Sequence, residues 1–377
     1  MRHIISFIVL TYIWIGYILN AILPFSYYDE IICVVFIFLL ILKLNKEFLF
    51  FCGVFLFFLV YSLYFSVNPV VKAIFLDAVQ QAKPFVFFYT AYSYGIDFLR
   101  REARWINYSI LIGVILTLIS FIFDNTFYTG LYTHPAQQGL CMFSFALLYV
   151  YINPKTRINL LICGIILIVG LLSLRSKYFG EFIASSLLLF FLKKKVVLNI
   201  KYIIYATCFV LTVLYVAWDK ILINFYAGGD AENSARAVLY MYTPEVLRTY
   251  FPFGSGFASY ATYYSGEYYS PLYRILKIDN VWGISPTMWN FIADTYFPSL
   301  SEFGILGIIF YLLFWRERLY NIYNTNNMWK YKIGMAVITF FMIESIASPA
   351  FVTAYGFLPL LVLGSICKTS YCIKWKK

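Results

Sequence analysis

The run FLFFCGVFLFFLVYSLYFS, residues 48–66, contains no charged side chain and is long enough to cross a lipid bilayer as a helix. Similar apolar runs recur along the 377-residue chain, which is 62% hydrophobic, whereas soluble domains are about 45–50% apolar. Only 12% of the residues are charged, about half the usual share. In lipid, backbone groups find partners only within their own segment, so these runs are predicted to be helices. The sequence therefore predicts an all-α polytopic membrane protein.

The spacing of the apolar runs predicts about 12 transmembrane helices. Roughly two thirds of the 29 lysines and arginines fall in every second loop between these runs, which the positive-inside rule places in the cytoplasm. Both termini are then predicted to be cytoplasmic. The predicted spans are 4–23, 31–43, 48–66, 74–96, 106–123, 138–152, 158–174, 178–192, 198–218, 299–315, 331–347 and 350–367.

One long segment, 219–298, separates the ninth span from the tenth and is predicted to be an external, periplasmic loop. Within it, ENSARAVLYMY is typical of a short helix, and TPEVLRTY of a second one with Thr243 at its N-cap and Pro244 at its first position. FPFGSGF is predicted to turn at Gly254 and Gly256. The predicted domains are a membrane domain with helices 1–9, the external loop with its short helices, and a membrane domain with helices 10–12 and a cytoplasmic tail: 1–218, 219–298 and 299–377.

Composition excludes several classes of function. The net charge of +11 would suggest nucleic acid as a partner of a soluble protein, but here the positive-inside rule explains most of it. The chain has two histidines, and its seven cysteines include no C-x-x-C pair. We therefore predict neither a nucleic-acid partner nor a metal site or other cofactor.

Two cations, Arg175 and Lys177, interrupt the apolar sequence LLSLRSKYFGEF on the predicted outer side. An arginine or lysine at the centre of a membrane helix costs about 2.5–3.5 kcal/mol, and less near its ends. One interpretation is a pair of interfacial cations, with Lys177 paired to Glu181 one turn further on. Arg236 allows a similar interpretation, as an ion pair with Glu232 on a solvated helix. Taken singly, these cations are explained without a ligand.

Taken together, the outer cations suggest a binding site, because they lie in or beside the one long external loop. Guanidinium groups bind phosphate oxygens through two parallel hydrogen bonds. We therefore expect the outer cations to hold a ligand that carries a diphosphate. The candidate residues are Arg175, Lys177, Arg236 and Arg248.

Two carboxylates are candidates for a catalytic general base near these cations. Asp294 precedes the tenth span and Glu302 lies within it. Each is also explained as a helix-start or interfacial carboxylate, yet a carboxylate beside cations and apolar walls can accept a proton during catalysis. His134 is the only imidazole predicted on the outer side, and Tyr240 lies in the tyrosine-rich loop. His134 is also explained as a structural residue of its loop.

The order of these motifs resembles that of the O-antigen polymerase/ligase superfamily, and within it the Wzy-type O-antigen polymerases. The matching segments are an arginine at the outer start of a helix, S-x-R and P-x-G-x-G-F in the external loop, and an acidic segment before the tenth helix. In this chain they are SLRSKYFGEF, SAR (234–236), PFGSGF (252–257) and DTYFPSLSEFGILG (294–307).

The resemblance implies a metal-independent, inverting glycosyltransferase with a GT-C-like fold, in the bacterial inner membrane. Its substrates would be repeat oligosaccharides on undecaprenyl diphosphate, held by arginines that match Arg175 and Arg236. With such a substrate, glycan contacts are expected at Tyr240 and His134 in the external loops, where tyrosine rings suit the C–H faces of sugars. Membrane lipids, a chain-length regulator and a flippase of the same pathway are the other implied partners. Ligases carry a histidine near Asp294, so its absence here favours a polymerase.

Two alternatives remain open from the sequence. One is an O-antigen ligase, which transfers the glycan to a different acceptor. The other belongs to a different class, a flippase for lipid-linked oligosaccharides, which also commonly has twelve helices. A flippase has no need of a structured loop on one side and is expected to show internal repeats, and we find none in this sequence.

Overall fold

The structure is a computed structural model that describes residues 2–19, 27–123, 131–132, 134–196 and 235–374. It is all-helical, with 76% helix and no strand among the described residues. The predicted all-α class is therefore confirmed.

The described residues contain fourteen α-helices, some of which are extended by a 3-10 or π turn. They are α1 Arg2–Tyr12 (with the π turn Ile13–Ile18), α2 Tyr28–Leu42, α3 Lys46–Phe65, α4 Val71–Tyr94, α5 Arg100–Phe123, α6 Pro135–Ile152, α7 Arg157–Gly170 (with the 3-10 turn Leu171–Ser173), α8 Ser176–Ser186 (with the π turn Leu187–Phe191), α9 Ala235–Thr249, α10 Tyr263–Glu267, α11 Leu272–Ile275, α12 Gly304–Tyr323 (preceded by the 3-10 turn Pro298–Phe303), α13 Met328–Ala347 and α14 Ala354–Lys374 (preceded by the 3-10 turn Ala350–Val352).

Some of these helices have the length and composition of membrane spans. A helix overlaps each predicted span except the ninth, 198–218, which lies outside the described residues. Three are both long and apolar enough to cross a bilayer: Lys46–Phe65, Arg100–Phe123 and Pro298–Tyr323. Further apolar helices are shorter, such as His3–Ile18 and Arg157–Ser173. These helices indicate a membrane protein.

The centre of the bundle is the contact between α4 and α14. The rings of Phe87 and Phe357 stack with their centroids 4.3 Å apart. A Cβ added at Gly364 of α14 would lie 2.3 Å from the carbonyl oxygen of Phe88, so the two backbones approach too closely for any other residue. Small residues allow such close approach of membrane helices, where packing rather than hydrophobic burial drives association.

Several basic residues of the predicted cytoplasmic loops meet at one end of the bundle. Lys43 donates to the carbonyl oxygen of Ser93 at 2.7 Å, and Lys332 donates to that of Leu189 at 2.9 Å. Lys195 donates to the carbonyl oxygen of Tyr323, the last residue of α12, at 2.5 Å. These lysines satisfy carbonyl groups that helix ends leave without intrahelical donors. This end is called the basic end below.

A second layer, residues 235–298, has a buried core of its own. Its largest buried side chains include Tyr260 and Tyr273, whose ring centroids are 6.0 Å apart. The predicted break between two helices at Thr243 is wrong, because α9 runs through Pro244 without interruption. Thr243 donates its side-chain hydroxyl back to the carbonyl oxygen of Leu239 at 2.7 Å instead of capping a new helix. The continuous helix keeps Leu239 and Val246, both fully buried, on the core of this layer.

The predicted turns at Gly254 and Gly256 are confirmed, since both residues adopt positive φ angles, +88° and +86°. Their segment packs directly against the start of α12. A Cβ on Gly254 would lie 2.2 Å from the backbone nitrogen of Gly304, which itself has a φ of +60°. The backbone N–H of Gly256 also donates to the carbonyl oxygen of Glu302 at 2.9 Å. Thus the PFGSGF and SEFGILG segments form one contact, through residue pairs 46 and 50 positions apart in the sequence.

Candidate functional site

Arg175 is positioned by a sharp bend between α7 and α8. The chain leaves the 3-10 turn after α7 through Leu174, which is 77% exposed and has a φ of 52°. This left-handed conformation is uncommon and strained for a residue other than glycine, so the surrounding structure must hold the bend. Arg175 then forms the N-cap position of α8, and its Nη2 lies 2.7 Å from Nε2 of His134.

His134 caps the start of α6 and faces donors with both ring nitrogens. Its Nδ1 lies 3.2 Å from the backbone nitrogen of Ala136, and its Nε2 faces Arg175 at 2.7 Å. The backbone N–H of Ala136 and the guanidinium of Arg175 are both donors, so the ring nitrogen that carries no proton accepts from the donor it faces, and the ring must be neutral to do so. Burial and the neighbouring Arg175 guanidinium lower the pKa of His134 from its ordinary value of 6.5. The neutral ring therefore serves to orient Arg175.

Arg236, near the start of α9, forms an ion pair with Asp294. Its Nη2 donates to Oδ2 of Asp294 at 2.5 Å, and the two side chains are 39% and 31% exposed. The Nε of Arg236 is buried and has no acceptor among the described residues. Glu232, the alternative partner considered from sequence, lies outside the described residues. Asp294 thus fixes the position of the Arg236 side chain, and the Nε–H group of Arg236 is left to donate a hydrogen bond to an anion.

Lys177 reaches across to α13 rather than along its own helix. Its Nζ donates to Oε2 of Glu344 at 2.8 Å, so the expected pair with Glu181 is not the contact that forms. The Glu181 carboxyl is 1% exposed and lies beside that of Glu344. Neither Glu181 oxygen meets a donor among the described residues. One cation thus faces two buried carboxyl groups, which a single shared proton would satisfy.

These side chains form one electrostatic unit around His134. Arg175, Lys177 and Arg236 all act to lower the pKa of the imidazole, and Asp294 acts to raise it. Such Coulombic effects are appreciable only over short distances. The structure therefore brings together residues from four separate segments of the chain. This group, Arg175, Lys177, Arg236, His134 and Asp294, is called the cation cluster below.

Tyr240 lies next to the cation cluster, whereas Arg248 does not. Tyr240 is one helical turn beyond Arg236 on α9, and its hydroxyl donates to the carbonyl oxygen of Ile346 at 2.9 Å. Burial raises the pKa of Tyr240 to about 12. Arg248 is exposed at the far end of α9, twelve residues from Arg236, which corresponds to about 18 Å along the helix axis. The two arginines of α9 therefore cannot hold one diphosphate together.

Glu302, the second candidate base, is fully buried beneath the second layer. Its Oε1 accepts hydrogen bonds from the backbone N–H groups of Ser259 at 2.7 Å and Tyr260 at 2.8 Å. Asp77 of α4 lies beside it and accepts from the backbone N–H of Ala258 at 2.9 Å. One oxygen of each carboxyl, Oδ1 of Asp77 and Oε2 of Glu302, has no donor among the described residues. The pair fixes the turn that follows PFGSGF.

The sequence reasoning gave no role at the site to Glu344. The sequence did contain a signal for this residue: Glu344 is an ionisable side chain inside a predicted span, and such side chains usually face a charged partner or a cavity. Its partner could not be identified because Lys177 is 167 residues away in the chain. Within the described part of the chain, no three His, Cys, Asp or Glu side chains are grouped as metal ligands would be.

Comparison of the sequence with protein-family models and with curated proteins finds no match. The interpretation of the cation cluster therefore rests on its geometry and on the motifs themselves.

Proposed function

We propose that this chain is an O-antigen polymerase, a glycosyltransferase that joins repeat oligosaccharides carried on undecaprenyl diphosphate. In this proposal it works without a metal or cofactor at the outer face of the bacterial inner membrane. The observation that carries the proposal is the cation cluster, in which Arg175, Lys177 and Arg236 lie around His134 and Asp294.

The cluster suits a leaving diphosphate. As the bond between the anomeric carbon and the phosphate oxygen breaks, negative charge grows on the diphosphate. Fixed cations aimed at that charge stabilise the transition state more than the ground state. The acceptor sugar hydroxyl attacks the anomeric carbon and loses its proton, for which Asp294 is the carboxylate at hand. Inversion at the anomeric carbon follows from a single displacement.

The finer architecture belongs to the same proposal. It includes about 12 transmembrane helices in a GT-C-like arrangement, a periplasmic second layer, and both termini in the cytoplasm. Two features support it: lysines collect at the basic end, and the cation cluster lies at helix ends that the loop charges assign to the outer side. The proposed partners are undecaprenyl-diphosphate-linked oligosaccharides, membrane lipids, and a chain-length regulator and flippase of the pathway.

Deletion of the gene, followed by gel analysis of the surface glycan, separates this function from its rivals. A glycan reduced to single repeats is expected for a polymerase. A core that carries no glycan would indicate a ligase instead. Accumulation of lipid-linked oligosaccharide on the inner side would indicate a flippase.

Arginine variants then test the site itself by complementation of the deletion. Arg175→Ala and Arg236→Ala are each expected to reduce elongation by about 10²–10³, by analogy with loss of an oxyanion-hole donor. The lysine variants are expected to fall nearly as far, because an ammonium group lacks the planar fork of guanidinium.

Arg248→Ala is the matched control, since Arg248 is an arginine of the same helix outside the cluster. It is expected to give wild-type chain length. Immunoblots of the membrane fraction check the level of each variant. Wild-type chain length in Arg175→Ala and Arg236→Ala at normal levels would remove both residues from the site and refute the proposal.

A further inference from the structure

A groove with mostly aromatic walls lies between α3, α4 and α12, in a part of the bundle that the cation cluster does not use. Its volume is about 370 Å³, within the range of ligand pockets. The residues that form its walls include Phe51, Phe55, Phe85, Tyr89, Phe310 and Phe314. It is called the aromatic groove below.

The aromatic groove opens toward the surroundings of the helices rather than toward their shared core. Phe50 and Leu313 line it and are 64% and 46% exposed. The most apolar stretch of α3, one of the candidate membrane spans, is only 17% buried inside the protein. A groove on such a face is filled from the bilayer, and its apolar walls favour a lipid chain over water.

Charged residues close the groove at the basic end. Lys46 and Glu47, at the start of α3, lie opposite Glu317 and Arg318 on α12. Arg318 is 1% exposed in its side chain, with Nη2 2.7 Å from Oε2 of Glu47 and 3.3 Å from Oε2 of Glu317. Its guanidinium carbon also lies 4.9 Å from the ring centroid of Phe88. The mouth thus combines two cations and two carboxylates, with no net charge.

The guanidinium of Arg318 has unused donors. Its Nε and Nη1 are buried and have no hydrogen-bond acceptor among the described residues, although Arg318 lines the groove. Buried polar groups are normally hydrogen-bonded, and an unpaired one costs about 1–3 kcal/mol or more when charged. An acceptor supplied by a ligand in the groove would satisfy these donors.

We infer that the aromatic groove is a binding site for a phosphatidylethanolamine molecule of the cytoplasmic leaflet, with one acyl chain in the groove and the head group at its charged mouth. The phosphate oxygens accept from Arg318 and Lys46, and the ammonium group donates to Glu317 or Glu47. The balance of two cations and two carboxylates selects a zwitterion over an anion, because the carboxylates repel excess negative charge. Head-group recognition in the groove does not depend on the proposed glycosyl transfer, and only the choice of leaflet rests on the topology proposed with that function.

Native mass spectrometry of the purified full-length protein tests this inference. The protein is stripped of lipid in detergent and then mixed with phosphatidylethanolamine, phosphatidylcholine or phosphatidylglycerol of identical acyl chains. We expect phosphatidylethanolamine to bind about tenfold more tightly than phosphatidylglycerol, which lacks the amine, and than phosphatidylcholine, which cannot donate a hydrogen bond from nitrogen.

Paired variants locate the binding. Lys46→Gln removes a cation from the mouth, and Leu313→Trp fills the groove; each is expected to weaken binding about tenfold. Arg316→Gln and Leu312→Trp are the matched controls, because both residues are exposed on α12 outside the groove, and these variants should bind as the wild type does. The altered side chains are exposed, so folding should survive, as equal melting temperatures would show.

Several results would overturn the inference. Equal binding of phosphatidylglycerol or phosphatidylcholine would show that the head group is not recognised. No bound lipid, or undiminished binding by Leu313→Trp, would show that the groove is not the site. Preferential retention of a polyprenyl diphosphate from the membrane would assign the groove to the lipid carrier instead.

Discussion

Replacing Glu302 separates a catalytic base from a structural acceptor. In the structure one oxygen of Glu302 accepts from the backbone N–H groups of Ser259 and Tyr260 at 2.7 and 2.8 Å, in a fully buried position. Glu302→Ala leaves both N–H groups unpaired, at a cost of about 1–3 kcal/mol each, or about 2–6 kcal/mol in total. Against a typical total stability of about 5–15 kcal/mol, this loss is severe.

Glu302→Gln should behave quite differently. The amide retains a carbonyl oxygen for the N–H groups of Ser259 and Tyr260, and its NH₂ group can donate to Oδ1 of Asp77, which otherwise has no donor among the described residues. We therefore expect the free energy of unfolding to stay within about 1 kcal/mol of the wild type. Because the amide cannot accept a proton at neutral pH, a catalytic base would be lost in this variant.

The assay combines two readouts for each variant. Glycan chain length in complemented deletion cells reports activity, and the melting temperature of the detergent-purified protein reports stability. The expected pattern is wild-type chain length and melting for Glu302→Gln, with a low melting temperature and reduced membrane level for Glu302→Ala. If Glu302→Gln melts normally but produces only single repeats, Glu302 is the base and the structural interpretation is refuted.

Three further predictions concern the cation cluster and the second layer. Lys177→Met should destabilise the protein by about 3–5 kcal/mol, because it leaves the carboxyl of Glu344 buried without its cation, and a wild-type melting temperature would contradict this. Only the neutral ring of His134 can accept a hydrogen bond from Arg175, and the pKa of His134 lies below its ordinary 6.5. Elongation by the purified protein should therefore fall as the pH drops through this pKa, because the ring becomes protonated. In the variant His134→Gln, which has no ring to protonate, this loss of elongation at low pH should disappear. A cysteine in place of Asn280, which is exposed on the second layer, should react with an impermeant maleimide in cells whose outer membrane alone is permeabilised; labelling only after inner-membrane lysis would disprove the topology.

The sequence alone determined the class of the fold and much of its helix pattern. Uncharged apolar runs must become helices in lipid, because no other local structure satisfies their backbone groups. The turns at Gly254 and Gly256 could also be predicted from the sequence, because a positive φ angle is a local requirement that glycine meets without strain. Local signals misled at Thr243, where the N-cap pattern was overridden by the burial of Leu239 and Val246 on one continuous helix.

The sequence predicted which residues belong to the candidate site but not which partners they bind. The cations of LLSLRSKYFGEF and SAR were recognisable because charge near a membrane span is costly and demands an explanation. Their partners were decided by tertiary structure: Lys177 pairs with Glu344 from another helix, and Arg236 pairs with Asp294, 58 residues away. Likewise, only the folded chain shows that Glu302 accepts from buried backbone groups while Arg248 lies apart from the cluster. Helical periodicity relates residues a few positions apart, whereas such pairings depend on how whole helices pack.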